Sequence, residues 1–442
     1  MAVRSPSRGQ ALMDGGVPLL DTVVTHPAQR AAAQQIGALI TRLRSCKTTA
    51  DVVDFQKLLF QHVHAAQEEF HEASRQAKRA EAGRSTASAP PAGDWATERR
   101  VWDRIQRQYR AVGDALAWRM FGFDRRYIIA LSRNADPGLM ARKTGLPYEL
   151  GHVTDLWERR GVFGLLHDVT NCLRIADITE FHEQGPLLRE IKKNRSQPSS
   201  AQLARMQQVL AVINDGAPLA GGTDGELSMF KSTVQSKTAM KRLGDALDAA
   251  YRVHTCSVAV GRGWVIQAAS GVLGAPSDTG DQDLLALAAA EKSEAFRRSG
   301  LYQSLHQLHG RAFGDLAVDA AMAPPTIFPL APHFCAYLTC DLMVFQSFIS
   351  YERLRDAFQS AGFEVTNLLP SRSDMIDPAA PVLQARIGNR GLTLHASAFA
   401  QVLMELIEPE RFALAVKEIC LSPSGRQGPG VFTFANERAI WR

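Results

Sequence analysis

The sequence predicts a mixed α/β protein with a helical N-terminal region. Three observations lead to this prediction. Apolar residues recur at three- and four-residue intervals over residues 27–116, which is the period of amphipathic helices. Residues 173–192 instead form two short apolar runs around a turn sequence, as in a strand hairpin. Residues 256–442 alternate strand-like and helix-like segments, which predicts a second α/β portion.

A chain of 442 residues is long enough for two or three domains. We expect four regions: a flexible N-terminus at 1–25, a helical hairpin region at 26–120 with a loop at 85–93, a core at 121–270, and an α/β extension at 271–442. The net charge of +5 permits a nucleic-acid partner without requiring one, because binding depends on where the basic residues cluster.

Cysteine usage and hydropathy indicate the compartment. The six cysteines have no paired metal-ligand spacing, and the sequence has no secretory signal. No apolar run approaches the roughly 20 residues that span a bilayer. We therefore expect a cytoplasmic protein with free thiols and no membrane partner.

The N-terminal region is expected to form an antiparallel helical hairpin. A first helix has an apolar face that contains Ile36, Ile40 and Leu43. A second, long helix is expected at 53–84, and a third begins at Trp95. The loop between the second and third helices is rich in Ser, Ala and Pro. A packing or homo-oligomerisation element is the simpler interpretation, and an arm that clasps a regulatory partner or nucleic acid is the alternative.

Residues 123–134 are expected to form a basic strand. The apolar run Tyr127 to Leu131 favours an extended segment, and Arg125, Arg126 and Arg133 are candidates for phosphate contact. Surface arginines of this kind often have no specific ligand.

The most informative segment is the charged hairpin at 173–195. Turn residues at 182–186 separate two extended runs. Glu190 and Lys192 lie two residues apart and so share one face of a strand, and the turn can bring Asp177 beside them. Two adjacent carboxylates repel unless a divalent cation lies between them. The pattern therefore predicts metal-dependent attack on a phosphodiester, with Lys192 stabilising the attacking hydroxide or the phosphate charge.

An aspartate followed by twelve residues and Glu190-Ile191-Lys192 resembles the PD-(D/E)XK nuclease superfamily over residues 146–216. The resemblance implies a restriction-endonuclease-like α/β/α core, with Mg²⁺ or Mn²⁺ held by Asp177 and Glu190. The family's first acidic residue often follows a proline, whereas Ala176 precedes Asp177 here. Asp168 is thus a possible substitute or additional ligand.

Helices are predicted on both sides of the hairpin. The first has Pro147 in its opening turn and Gly161 at its end. The resemblance implies that this helix supplies a further metal-shell carboxylate, for which Glu149 fits best and Glu158 less well. The second helix, capped by Ser199 or Ser200, is expected to bury Leu203, Met206, Leu210 and Ile213. By the same resemblance Gln202, Arg205 and Lys193 would contact nucleic acid.

The functional expectation is a metal-dependent nuclease, acting on DNA rather than RNA by family tendency, in restriction, repair or phage defence. Two alternatives stay open. One is a catalytically inactive nuclease-like fold that binds nucleic acid or protein. The other is a helical scaffold with a charged surface hairpin. No phosphate-loop motif for nucleotide hydrolysis is present, and the role of 271–442 is unassigned.

Overall fold

The computed structural model describes residues 26–83, 90, 93–132, 139–191, 199–215, 219–220, 226–271, 281–304, 307–312, 322–368, 381–422, 430–436 and 438. The predicted N-terminus at 1–25 lies outside this part, as do Arg133 and most of the loop at 85–93. Within it the fold is mixed α/β, as predicted.

The N-terminal half is helical. Its helices are α1 (Pro27–Ser45), α2 (Thr49–Glu81), α3 (Trp95–Met120), α4 (Arg125–Leu131) and α5 (Leu146–Arg160). Local sequence fixes where they begin. Thr48 and Asp51 form a reciprocal capping box at the start of α2, and the Asp94 carboxylate accepts from the Thr97 amide at the start of α3.

Helices α2 and α3 pack antiparallel, which confirms the predicted pair. Arg119, in the last turn of α3, donates to the carbonyls of Leu43 and Cys46, just before α2 begins. Midway along the pair, the Tyr109 ring stacks on His62 at a centroid distance of 5.1 Å. The apolar faces that the helical period predicted are therefore buried against one another.

The predicted strand at 123–134 is wrong, because residues Arg125–Leu131 form helix α4. The Asp124 carboxylate caps this helix by accepting from the Arg126 amide at 3.1 Å. Arg125 is fully buried in an ion pair with Glu405, and Arg126 pairs with Asp124. Capping and tertiary pairing thus override the β propensity of the apolar run. Arg125 is too deeply buried to contact phosphate, and Arg126 is already paired with Asp124.

A helix, three strands and a helix follow. After α5 come β1 (Phe163–Leu166), β2 (Ile178–His182), β3 (Gly185–Arg189) and α6 (Ser200–Asp215). The strands form an antiparallel sheet in the order β1-β2-β3, with Ile178 opposite both Leu166 and Arg189. Helix α5 ends at Gly161, whose φ of 64° is the left-handed conformation typical of a helix C-terminus.

Three details of this unit differ from the prediction. Strand β3 ends at Arg189, so Glu190 lies just beyond the strand and not within it. Strand β2 begins at Ile178 rather than near residue 173, because Ala176 has a φ of 71° that interrupts an extended chain. On α6 the buried apolar residues include Met206, Val209 and Val212, whereas Leu203 is exposed.

The remaining elements form three further small sheets with covering helices. In chain order they are β4 (Leu219–Ala220), β5 (Glu226–Lys231), α7 (Met240–Val253), β6 (Thr255–Gly261), β7 (Trp264–Ser270), α8 (Asp281–Ser299), β8 (Gln307–Ala312), α9 (Pro332–Thr339), β9 (Met343–Ser350), α10 (Tyr351–Ser360), β10 (Glu364–Asn367), β11 (Pro381–Ile387), β12 (Arg390–His395), α11 (Ala400–Met404), α12 (Pro409–Leu421) and β13 (Gly430–Thr433). The sheet orders are β6-β7-β9-β8, β10-β11-β12 and β13-β5-β4.

Strand pairing and packing cross the region boundaries that the sequence predicted. Strand β7 pairs with β9 along its whole length, so one sheet spans the boundary at 270/271. Helix α1 packs on α9, and the Arg44 guanidinium donates to the carbonyls of Phe328 and Leu330, both at 2.6 Å. The largest cluster of buried apolar residues draws on both ends of the described chain. The N-terminal helices and the C-terminal elements thus share a hydrophobic core.

No helix in the described ranges is long and apolar enough to cross a bilayer. All six cysteines are free, and four of them are buried: Cys46, Cys172, Cys335 and Cys340.

Candidate active site

Three carboxylates converge on one ammonium group. The Nζ of Lys143 lies 2.8 Å from Oε1 of Glu149 and 3.0 Å from one oxygen each of Asp168 and Asp177. Lys143 precedes α5, and Glu149 lies in the first turn of that helix. Asp168 lies in the 3₁₀ turn after β1, and Asp177 immediately precedes β2. We call these four residues the lysine–carboxylate cluster.

Helix α2 positions the lysine of this cluster. The buried Gln67 side chain accepts from the backbone amides of Met140 at 2.8 Å and Ala141 at 3.0 Å. The Lys143 amide then donates to the Met140 carbonyl and closes a 3₁₀ turn. One glutamine therefore fixes the backbone from which Lys143 projects.

Helix α3 positions the segment that carries Asp168. Its buried Arg110 donates from Nε to the Asp168 carbonyl at 2.9 Å. One turn further on, the buried Asp114 carboxylate accepts from the backbone amides of Asn171 at 2.7 Å and Cys172 at 2.9 Å. Gly113 lies between Arg110 and Asp114 on α3 and approaches the turn closely. A Cβ atom added at Gly113 would lie 1.8 Å from the Val169 carbonyl oxygen. The turn is therefore seated directly on the helix backbone.

Asp177 is held by both the cluster and the hairpin. Its backbone amide donates to the Arg189 carbonyl at 2.9 Å. One oxygen of its carboxylate contacts Lys143, and the other accepts from the Ile191 amide at 2.8 Å. Both oxygens thus have partners, and the side chain is only 15% exposed.

Burial and charge set the protonation of the cluster. Burial raises the pKa of Glu149 to about 7, although the neighbouring Lys143 ammonium acts to lower it. Burial alone would lower the pKa of Lys143, but Asp168, Glu149 and Asp177 raise it above its usual value. Lys143 is therefore a cation at neutral pH. Oε2 of Glu149 is buried and has no hydrogen-bond partner among the described residues.

A cavity of about 290 Å³ lies beside the cluster. Asp177 and Glu190 both line it, so the structure brings together the two acidic residues of the sequence motif. Gln202 and Arg205, which were predicted to contact nucleic acid, also line the cavity. The other lining residues are Arg174, Ile175, Ala176 and Met206. The cavity thus combines acidic and basic side chains, as a site for a phosphate and a cation requires.

Gln202 connects helix α6 to the end of the hairpin. Its Oε1 accepts from the Ser199 amide at 3.1 Å and the Ser199 hydroxyl accepts from the Gln202 amide at 3.3 Å, which is a capping box. Its Nε2 donates to Oε1 of Glu190 at 2.8 Å. The capping arrangement therefore holds the glutamine that orients the Glu190 carboxylate.

The sequence motif is only partly described by the structure. Lys192 and Lys193 lie outside the described residues. Glu149 lies in the lysine–carboxylate cluster and does not line the cavity. In the described ranges, no three His, Cys, Asp or Glu side chains form a group that could hold a metal ion. Carboxylate oxygens nevertheless suit Mg²⁺ or Mn²⁺, and Oε2 of Glu149, which has no hydrogen-bond partner in the described ranges, is a further oxygen donor.

Another buried carboxylate, that of Glu180, lies on strand β2. Glu180 on β2 is 1% exposed and accepts from His152 at 2.9 Å, His182 at 2.8 Å and Arg189 at 3.0 Å. Burial alone would raise the pKa of Glu180, but these hydrogen bonds together lower it. The contacts join helix α5 to both strands of the hairpin that carries Asp177 and Glu190.

Sequence reasoning missed Lys143 and the Glu180 cluster. Lys143 lies in a short segment without periodicity, and its partners are 6, 25 and 34 residues further along the chain. The signal that could have found it is chemical, because a buried carboxylate such as Glu149 needs a nearby cation.

No protein-family model, curated protein or solved structure matches this chain. The site is therefore interpreted from its own residues.

Proposed function

We propose that the chain is a metal-dependent nuclease of the PD-(D/E)XK type. The observation that supports this most strongly is that Asp177 and Glu190 line one cavity at the end of the β2–β3 hairpin. The hairpin belongs to a helix–three-strand–helix sequence of elements, the order that the resemblance implies. Phosphodiester cleavage, with DNA favoured over RNA, is the reaction proposed.

Each residue of the site has a proposed role. Asp177 and Glu190 would hold Mg²⁺ or Mn²⁺, and Glu149 would belong to its wider shell. When bound, such a cation stabilises charge on the phosphate and activates water. Gln202 orients Glu190 by its hydrogen bond. Lys192 would stabilise the attacking oxygen, and Arg205 and Lys193 would contact the nucleic-acid backbone.

One observation favours a second candidate, a nuclease-like fold that binds nucleic acid or a protein without cleaving. Lys143 already neutralises part of the charge of Asp177, Asp168 and Glu149. A carboxylate cluster whose charge is partly neutralised in this way depends less on a metal ion for its stability. A role in restriction, repair or phage defence applies to either candidate.

Cleavage of labelled single- and double-stranded DNA and RNA tests the proposal. The unaltered protein, Asp177→Ala and Lys192→Ala are compared in Mg²⁺, Mn²⁺ and EDTA. Asp155→Ala is a matched control, because Asp155 is a half-exposed carboxylate on α5 that pairs with Arg159 one turn away on the same helix. We expect metal-dependent cleavage by the unaltered protein and the control, with both site variants inactive.

The contradicting results are also specific. Cleavage that persists in Asp177→Ala would remove the proposed site from the reaction. Absence of cleavage by the unaltered protein, together with binding of the same substrates, would favour the non-cleaving candidate.

A further inference from the structure

The ammonium of Lys143 has the environment of a bound cation. Three oxygens from three carboxylates lie within 3.0 Å of Nζ. The contacts with Asp168 and Asp177 are hydrogen bonds, and the contact with Glu149 is an ion pair. The group thus lies where the negative charge of Glu149, Asp168 and Asp177 is concentrated.

Asp177 connects this ammonium to the proposed metal site. Its carboxylate contacts Lys143 and also lines the cavity that contains Glu190. One lone pair of this oxygen is engaged by Lys143 at 3.0 Å, and the positive charge of the ammonium opposes the approach of a divalent ion. The other Asp177 oxygen is engaged by the Ile191 amide.

A second observation indicates that the cluster has capacity for another ligand. Glu149 is 1% exposed, and its Oε2 has no hydrogen-bond partner among the described residues. A buried carboxylate oxygen without a partner is costly, and in the ionised form of Glu149 this oxygen can bind a cation that enters the cluster.

We propose that Lys143 is an internal competitor for the metal: a divalent ion binds to Asp177 by displacing the Lys143 ammonium. This inference rests on the proposed function, because it concerns regulation of the same site. Gln67 holds the backbone before Lys143, so the movement belongs to the side chain. That side chain is 33% exposed and has a flexible stem, which gives it a route to solvent.

The competition has a functional consequence. At low metal concentration the lysine neutralises part of the carboxylate charge, and the site has no divalent cation. At higher concentration the ion replaces it, so activity follows metal supply. Lys143 is therefore a positioning residue, and its removal should change metal affinity before it changes chemistry.

Direct Mn²⁺ binding, followed by electron paramagnetic resonance, tests the competition. We compare the unaltered protein with Lys143→Met, and use Lys241→Met as a control because Lys241 is exposed on α7. Removing the Lys143 ammonium should lower the Kd for Mn²⁺ by about tenfold or more, within the range of coupling between linked sites. Adding Asp177→Asn to Lys143→Met should abolish the gain.

Labelling of the unaltered protein covers the case in which Lys143→Met does not fold. Acylation of lysines is measured by mass spectrometry with and without Mn²⁺. Displacement predicts that modification of Lys143 increases with metal concentration, while modification of Lys241 does not change. Equal labelling of Lys143 in both conditions would overturn the proposal.

The outcomes separate this inference from the proposed function. Asp177-dependent Mn²⁺ binding that is unchanged or weaker in Lys143→Met would overturn the competition and leave the nuclease proposal standing. No Mn²⁺ binding by either protein would overturn both.

Discussion

Lys143 Nζ lies 3.0 Å from Oδ1 of Asp177, while Oδ2 of the same carboxylate accepts from the Ile191 amide at 2.8 Å. A single side chain thus joins the segment before α5 to the end of the charged hairpin. A cation that approaches Asp177 would therefore compete with Lys143 for the same carboxylate. This link between the lysine–carboxylate cluster and the cavity is the basis of the functional account.

Gln202→Ala should impair cleavage more than it impairs folding. The substitution removes the hydrogen bond to Glu190 and one half of the capping box with Ser199. Loss of a residue that orients a metal ligand typically costs about 10- to 100-fold in affinity or activity. Metal titrations of the cleavage rate measure the effect.

Gln207→Ala is the matched control, because Gln207 is exposed on the same helix. Equal cleavage rates for the two variants would show that the contact with Glu190 has no role in the reaction.

Gly113→Ala should destabilise the protein by about 3 kcal/mol or more, at the upper end of the cost of overpacking a well-packed core. The new Cβ atom would lie 1.8 Å from the Val169 carbonyl oxygen, so α3 and the turn carrying Asp168 must separate. Urea denaturation followed by circular dichroism measures the free energy of unfolding.

The control is Gly151→Ala on α5, where an added Cβ atom meets nothing within 4 Å. Alanine favours a helix interior over glycine by about 0.5–1 kcal/mol, so this variant should be more stable than the unaltered protein. A Gly113→Ala variant of unaltered stability would contradict the close approach of helix and turn.

The regular elements of this site could be predicted because their signals are local. Helix α5 has proline in its first turn and Gly161 at its end, and α6 has a Ser199–Gln202 capping box. The order of helix, hairpin and helix followed from these signals. The start of β2 could not be predicted, because the left-handed Ala176 has no sequence signature of its own.

Other features depend on tertiary contacts that sequence periodicity does not encode. The run Tyr127 to Leu131 has β propensity, yet it forms α4 because Asp124 caps it and Glu405 pairs with Arg125. Lys143 meets carboxylates from three separate parts of the chain. Only the folded arrangement reveals such convergence.

Arg125→Met should destabilise the protein by about 3–5 kcal/mol, the usual cost of leaving one partner of a buried ion pair alone. Arg125 and Glu405 are fully buried and joined by two hydrogen bonds, of 2.8 Å and 2.6 Å. The double variant Arg125→Met with Glu405→Gln should recover much of the loss. Its glutamine still offers an acceptor to the Ala323 amide, which donates to Glu405 at 2.7 Å.

A double-mutant cycle from urea denaturation gives the coupling between Arg125 and Glu405. Additive effects of the two single substitutions would contradict a direct interaction between the buried charges.

The Glu180 cluster should make stability depend on acid pH. The pKa of Glu180 is lower in the folded protein than the usual 4.5, so its contribution is present above about pH 4.5 and is lost as the pH falls through the folded pKa. Glu180→Gln should reduce stability at neutral pH by about 1–3 kcal/mol and flatten the acid dependence.

Urea midpoints between pH 3 and pH 7 measure this effect, with Glu158→Gln on the exposed face of α5 as the control. Identical pH profiles for Glu180→Gln and the unaltered protein would exclude Glu180 as the source of acid sensitivity.

The anomalous diffraction of Mn²⁺, in crystals of the protein grown with the ion, would show whether Asp177 and Glu190 bind a metal. We expect a peak in the cavity within coordination distance of Asp177 and Glu190, with the Lys143 ammonium moved away from Asp177. A cavity without a peak at saturating Mn²⁺, with Lys143 still in contact with all three carboxylates, would contradict this expectation.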